Sequence, residues 1–261
     1  LAKWKGEIIR MDIEKSILAA KKGFENSFFS GDFYNKQTQD EQHLNAILEF
    51  LPIKTGMKIL DLGTGSGYLS FSIAKIHPEN IVIGLDIVER ALEANRIKAE
   101  KESIRNISFT NYDGIYFPFA VNEFDMVVSR YALHHFPDIQ KSISEVSRVI
   151  KQGGYLFLSD PAPNANDTDR FVDEYMQLKK DGHIKFYTKD EWKKICEKAG
   201  LRYVKSFDSS IRFPKKKDTA YGFEEVLKKY PKSVIDSYDL EILEDEIYIT
   251  EQVNNILFIK Q

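Results

Sequence analysis

The residues best suited to chemistry in this chain are acids that follow apolar runs and glycines that follow an acid. The stretch Lys58-Ile59-Leu60-Asp61-Leu62-Gly63-Thr64-Gly65-Ser66-Gly67-Tyr68 carries one carboxylate in a β-type apolar run, then three alternating glycines, then amphipathic sequence from Leu69, Phe71, Ile73 and Ala74. That order reads as a strand, a tight loop and a helix start. Glycines there permit φ > 0 and place no Cβ between a ligand and the N–H groups of the helix N-terminus. Asp86 closes a second apolar run, Ile81-Val82-Ile83-Gly84-Leu85-Asp86, and Asp113 follows a third in Asn111-Tyr112-Asp113-Gly114. A carboxylate at Asp86 can accept both hydroxyl hydrogens of a ribose. One at Asp113 can accept an amino hydrogen from an adenine ring. Diphosphate ligands usually sit on G-x-G-x-x-G loops without a nearby acid, because an anion repels them. Here Asp61 stands two residues before the first glycine, which suits a ligand bearing an ammonium or sulfonium group.

For these acids to meet, their strands must lie side by side. Strand-like and helix-like segments alternate: 57–62 then 68–76, 81–86 then 90–101, 107–111, 124–129 then 139–151, and 155–160. Short, wholly apolar strands between helices mean parallel βαβ units covered on both faces, and a doubly wound sheet of this kind binds ligands at the carboxyl ends of its strands. The helix after Asp138 is expected to bury Ile139, Ile143, Val146 and Ile150 and to stop at Gly153-Gly154. Ahead of the first strand the pattern is helical over 12–52, broken at Ser30-Gly31-Asp32, with a capping-box signature at Thr38 and Glu41. A second capping box, Thr188 and Glu191, opens a helix running to Gly200. A strand near Tyr203–Ser206, a variable stretch over 213–246 and a last strand over 247–259 follow.

The bulk properties narrow the classes. A chain of 261 residues can form one large α/β domain with a cap or small appendage, and 43% hydrophobic with 30% charged residues describes an ordinary globular protein. A formal net charge of −3 does not favour binding to nucleic-acid backbones. The run Lys215-Lys216-Lys217 reads as a solvated loop. Cys196 is the single cysteine, so no disulfide closes within the chain; it is expected to be a buried apolar residue in a reducing compartment. No apolar run reaches membrane-spanning length and no signal-peptide architecture is evident, so a cytoplasmic location is expected. Residues 1–10 precede Met11 and read as a vector remnant or a processed start.

The ordered motifs Ile59 to Gly67, Gly84-Leu85-Asp86, Asp113-Gly114 with Pro118-Phe119 and Phe124-Asp125-Met126-Val127-Val128, and Leu133-His134-His135-Phe136-Pro137-Asp138 resemble the class I S-adenosylmethionine-dependent methyltransferases. Within them the chain is similar to the small-molecule branch of ubiquinone/menaquinone-biosynthesis enzymes (methyltransferase type 11 domain), over roughly residues 40 to 200. The resemblance implies a Rossmann-like, mainly parallel sheet of seven strands, with an N-terminal helical lid over 1–45 and a C-terminal antiparallel strand in a methyltransferase domain over 46–261. It implies S-adenosyl-L-methionine as cofactor, released as S-adenosyl-L-homocysteine. Asp61 with Gly63, Thr64, Gly65 and Gly67 would hold the methionine moiety, Asp86 the ribose, Ile87 the adenine face, and Asp113 with Gly114 the adenine edge. Ser129 and Arg130 would line the methionine side.

Methyl transfer is an in-line displacement, so holding the acceptor close is most of the catalysis. Where the acceptor must lose a proton, His134 and His135 are the candidate bases, and Asp160 could orient a histidine or the substrate. The competing reading has the two histidines capping the next helix or packing beneath the loop. Phe24, Phe28, Phe29, Phe33 and Tyr34 read either as a lid or as plain core, with Tyr34 a candidate cofactor contact. Insertions near 161–187, with Phe171, Tyr175, Met176 and Phe186, and near 213–246, with Tyr221 and Phe223, are expected to set an apolar or aromatic acceptor. No metal site is expected; a single cysteine argues against metalloid capture. The partners expected are a small-molecule acceptor, with no nucleic acid and no membrane span, in a monomer or homodimer. A nicotinamide oxidoreductase, a nucleic-acid methyltransferase and a non-catalytic cofactor-binding protein are the rival readings; Ser129-Arg130-Tyr131-Ala132 stands where the second would carry an Asn/Asp-Pro-Pro-Tyr loop.

Overall fold

A computed structural model of the chain describes residues 12–25, 40–178, 182–217 and 222–261. Its centre is one sheet in the order β3-β2-β1-β4-β5-β8-β6, with a short β7 paired to β8 off this path. The strands are β1 (Lys58–Leu62), β2 (Ile81–Asp86), β3 (Ile107–Asn111), β4 (Phe124–Arg130), β5 (Ile150–Ala162), β6 (Leu201–Lys216), β7 (Glu241–Ile242) and β8 (Glu246–Lys260). Pairing is parallel from β3 to β5, and β8 runs antiparallel to both β5 and β6. The expected Rossmann-like sheet with its antiparallel C-terminal strand is therefore present, and β7 is an eighth strand beyond the seven expected.

Parallel strands must be covered on both faces, and their sequences comply: the middle residues of β1 and β4, Ile59, Leu60, Met126, Val127 and Val128, are apolar and buried. One face packs on Ile143 and Val146 of the helix Ile139–Val149 and on Trp192 and Cys196 of the helix Lys189–Lys198. The other packs on Ile47 of the helix Glu41–Phe50 and on Leu69 and Ile73 of the helix Tyr68–Ile76. Cys196 is buried as expected, and burial pushes its thiol pKa up. No described helix is long and apolar enough to cross a membrane.

Several boundaries differ from those the sequence suggests. Helix covers residues 12–25, and the next helix begins at Glu41 with Asp40 as its cap, accepting from the His43 N–H at 2.9 Å. Thr38 and the Ser30-Gly31-Asp32 break lie outside the described residues. The Thr188–Glu191 capping box closes in both directions. The helix after Asp138 ends at Val149, not at the glycine pair, and β5 starts at once at Ile150. β6 is far longer than four residues: it pairs with β8 from Leu201 to Lys216, so both strands run past the rest of the sheet. Lys215 is accordingly no solvated loop residue but is buried, its Nζ donating to the Tyr175 carbonyl at 3.1 Å. A second, aromatic core forms on this extension, from Phe171, Tyr175, Phe213, Tyr238 and Ile249 among others.

Candidate active site

The glycine loop is built by its own hydrogen bonds. Register sets Asp61 beside Gly84 on β2 and beside Val128 on β4, so the carboxyl ends of the three strands converge. Past β1 the chain turns with Gly63, Gly65 and Gly67 all at positive φ. Gly63 and Thr64 both donate to the Leu85 carbonyl, at 2.8 and 3.1 Å. Gly67 donates to the Thr64 carbonyl at 2.8 Å and opens the helix. Neighbouring elements close in: a Cβ on Gly84 would lie 2.7 Å from the Phe109 ring and 2.8 Å from the Thr64 methyl.

Two buried acids clasp this loop. Oδ2 of Asp61 accepts from the Thr64 hydroxyl at 2.8 Å and from the Ser70 hydroxyl and N–H at 2.5 and 3.2 Å. Burial raises Asp61 to a pKa of about 6, against the lowering by those bonds, so it is charged at neutral pH. Asp86 accepts from the Gly65 N–H through Oδ2 at 2.8 Å and from the Val88 N–H through Oδ1 at 2.9 Å. Burial pushes its pKa up as well, and the backbone donors hold it down. Ile87 is half-buried beside it. On β4 the Ser129 hydroxyl donates to the Leu62 carbonyl at 2.8 Å, tying that strand end to β1. The Arg130 guanidinium lies 3.9 Å from the ring centroids of both Tyr68 and Tyr131.

Asp113 is exposed at the end of β3, where its Oδ1 accepts from the Ile115 and Tyr116 N–H groups at 2.8 Å each. Beside it Gly114 has φ +85, and a Cβ there would meet the Ile17 side chain at 3.1 Å. The helix over residues 12–25 thus lies across this loop. It also reaches Gly182, where a Cβ would come 2.7 Å from Ala20 Cα, and His135, whose ring meets that of Phe24 edge-on at 4.7 Å. Phe28, Phe29, Phe33, Tyr34 and Tyr221 lie outside the described residues.

The structure brings His134, His135 and Asp160 together between the ends of β4 and β5. His134, in the turn Leu133–His135, holds Asp160 Oδ1 with Nδ1 at 2.8 Å, and both side chains are buried. Burial raises Asp160 to a pKa of about 8, opposed by the nearby His135 and His183. The His134 and His135 rings are 4.1 Å apart. Sequence reasoning missed His183, whose ring lies 5.5 Å from that of His134 and whose Nε2 pairs with Asp173 Oδ1 at 2.9 Å. It missed Tyr131 as well, a non-glycine residue at φ 53 next to Arg130. Neither residue sits in a motif; the only signal is the ten-residue spacing of Asp173 and His183 in a segment expected to face the acceptor. His43, on the helix Glu41–Phe50, is buried and bonded to Asn255 and Ser209. Among the described residues no cluster of three or more His, Cys, Asp or Glu has metal-holding geometry.

The family described as Methyltransferase domain matches residues 53–200, more than half of the chain. The chain belongs to that methyltransferase family. A methyltransferase of Bacillus subtilis named YcgJ and described as uncharacterized is 28% identical over 163 residues, covering 62% of this chain and 64% of that protein. A demethylmenaquinone methyltransferase of Lactococcus lactis is 32% identical over 137 residues, covering 47% of this chain and 54% of that protein. The chain therefore spans between about half and two thirds of the length of the curated relatives it matches. In structure it is similar to a protein of Bacillus halodurans described as a putative methyltransferase (TM-score 0.74, 22% identity, 83% of this chain and 98% of that one). It is also similar to YcgJ (TM-score 0.71, 23% identity, 84% and 97%). At these identities the structural likeness speaks for the fold, which is a Rossmann-like methyltransferase fold.

Proposed function

We propose that this methyltransferase uses S-adenosyl-L-methionine to methylate a small, largely apolar or aromatic metabolite. The observation that carries the cofactor is the set of hydrogen-bond acceptors at the strand ends: the carboxylates Asp61 and Asp86, bonded to a pre-formed glycine loop, and Asp113 just past β3. Three acids repel a diphosphate; they suit an ammonium, a ribose diol and an adenine amino group. Asp61 would hold the amino group of the methionine moiety, since the bonds to the loop all fall on its Oδ2. Arg130, at the end of β4, would face that moiety's carboxylate. Asp86, Ile87, Asp113 and Gly114 would take the ribose and adenine, beneath the helix over 12–25.

When bound, this cofactor supplies a methyl group on a positively charged sulfur. What the chain supplies is position and proton handling. Residues 46–261 form the proposed catalytic unit, and the helix over 12–25 a cover that excludes water. His134 is the proposed base for an acceptor that must lose a proton, with Asp160 fixing its tautomer through Nδ1. His183 and Asp173 form a second pair behind it.

The test is a metabolite-extract screen for S-adenosyl-L-homocysteine release, with Asp86→Ala as control. Release by the wild type that the variant loses supports the reading. No release, or release unchanged in the variant, counts against it.

A further inference from the structure

The second core, between the long ends of β6 and β8 and the short helices Phe171–Gln177 and Phe223–Lys229, is apolar except at a few points. Most of its polar groups are satisfied. Tyr238 donates to Asp167 Oδ2 at 2.6 Å and accepts from the Asn164 N–H, and Tyr230 donates to Glu174 at 2.7 Å. Tyr131 and Tyr175 differ: each has its hydroxyl oxygen shut off from solvent and without a hydrogen-bond partner, and Tyr175 is wholly buried. Burial pushes both phenols well above their ordinary pKa, so both remain donors at any working pH. A buried hydroxyl left unbonded is destabilising, and two at one core point to a ligand that bonds them.

The backbone of Tyr131 aims its ring at this core. Its left-handed φ of 53 is a conformation that L side chains adopt at a cost, and its N–H is pinned to the Ser159 carbonyl at 2.8 Å. The ring then packs against the second core, with the Arg130 guanidinium 3.9 Å from its centroid and the His43 ring stacked at 6.0 Å. Tyr131 thus bridges the proposed cofactor site and the core that holds Tyr175.

Charge on this face is already of both signs. Glu251 on β8 pairs in register with Ile211, and Lys215 lies four residues along β6 on the same face, so the two charges share one side of the sheet. Both are buried, and Lys215 Nζ lies 4.4 Å from the Tyr175 ring centroid. A ligand here needs no charge of its own. We propose that Tyr131 and Tyr175 bind the methyl acceptor by donating hydrogen bonds to an uncharged oxygen, a hydroxyl or carbonyl, on a mainly apolar molecule. This rests on the methyltransferase reading above.

The probes are 4-methylphenol and p-xylene, which differ by a hydroxyl in place of a methyl, titrated by ligand-detected NMR into the whole chain with S-adenosyl-L-homocysteine present. The wild type should bind 4-methylphenol at least about threefold more tightly, as one or two buried hydrogen bonds imply. Tyr131→Phe with Tyr175→Phe should abolish the preference, leave S-adenosyl-L-homocysteine affinity unchanged and melt no lower than the wild type, since each change removes an unbonded buried hydroxyl. Equal binding of the two probes, a preference that survives in the double variant, or a lower melting temperature of both single variants overturns the proposal. A phenol preference in a protein that does not bind S-adenosyl-L-homocysteine overturns the acceptor assignment through failure of the cofactor reading, which that separate titration identifies.

Discussion

The imidazole Nδ1 of His134 and the carboxyl Oδ1 of Asp160 lie 2.8 Å apart, both side chains buried, where the chain leaves β4 and runs along β5. In such a pair the carboxyl fixes the ring at Nδ1 and proton exchange with a reacting group runs through Nε2. Burial raises Asp160 to about 8, so the pair keeps its second proton until that pH. If His134 is the base, kcat should rise with pH towards about 8 as that proton is lost. Asp160→Asn should lower kcat about 100-fold and remove this rise, with S-adenosyl-L-homocysteine affinity unchanged. An unaltered pH profile in the variant would show that the pair only packs.

The same raised carboxyl shapes stability. Asp61 at about 6 and Asp160 at about 8 both stand above their ordinary value of 3.8. The folded chain therefore binds more protons than the unfolded one across this window, and their contribution to stability is lost as pH rises from about 4 to about 8. Urea midpoints at pH 5, 6.5 and 8.5 should fall in that order, and Asp160→Asn should flatten the upper half of the decline. A wild type that gains stability with pH would refute this.

Most of the fold was legible in the sequence because parallel strands between helices leave a pattern that local residues carry: apolar runs, capping boxes and glycine loops. Asp61, Gly65 and Asp86 were readable for the same reason, since loop geometry determines which residue types fit. What escaped was non-local. Lys215 reads as one of three surface lysines until β6 is seen to pair with β8 over its whole length. His183 is far from His134 in sequence, and the two segments meet through the His134 carbonyl, which accepts from the Ile184 N–H at 3.0 Å, and through ring contacts of His134 with His183 and Phe186. Tyr131 looks like one more aromatic until its φ is known.

The helix over 12–25 rests on both halves of the site, through Ile17 at Gly114 and Phe24 at His135. If it covers the bound cofactor, Ile17→Asp should speed S-adenosyl-L-homocysteine dissociation about tenfold, with a smaller effect on association. Stopped-flow displacement measures both rates. Equal dissociation in wild type and variant would remove the cover role.

Gly63 separates two costs that glycine avoids. Its φ is 71, and a Cβ would stand 2.4 Å from that of Ala132, closer than two carbons can approach. Gly153 has nearly the same φ, 72, but open space around its missing Cβ. Gly153→Ala should therefore cost only the left-handed backbone, about 1–2 kcal/mol. Gly63→Ala adds the overlap with Ala132, a further 1–3 kcal/mol or so, and it must shift the turn that carries Thr64 and Gly65. Urea unfolding gives both costs, and calorimetric titration should show S-adenosyl-L-homocysteine binding weakened in the Gly63 variant and untouched in the other. If the two variants lose equal stability, the close approach of the loop to Ala132 is not what requires glycine there.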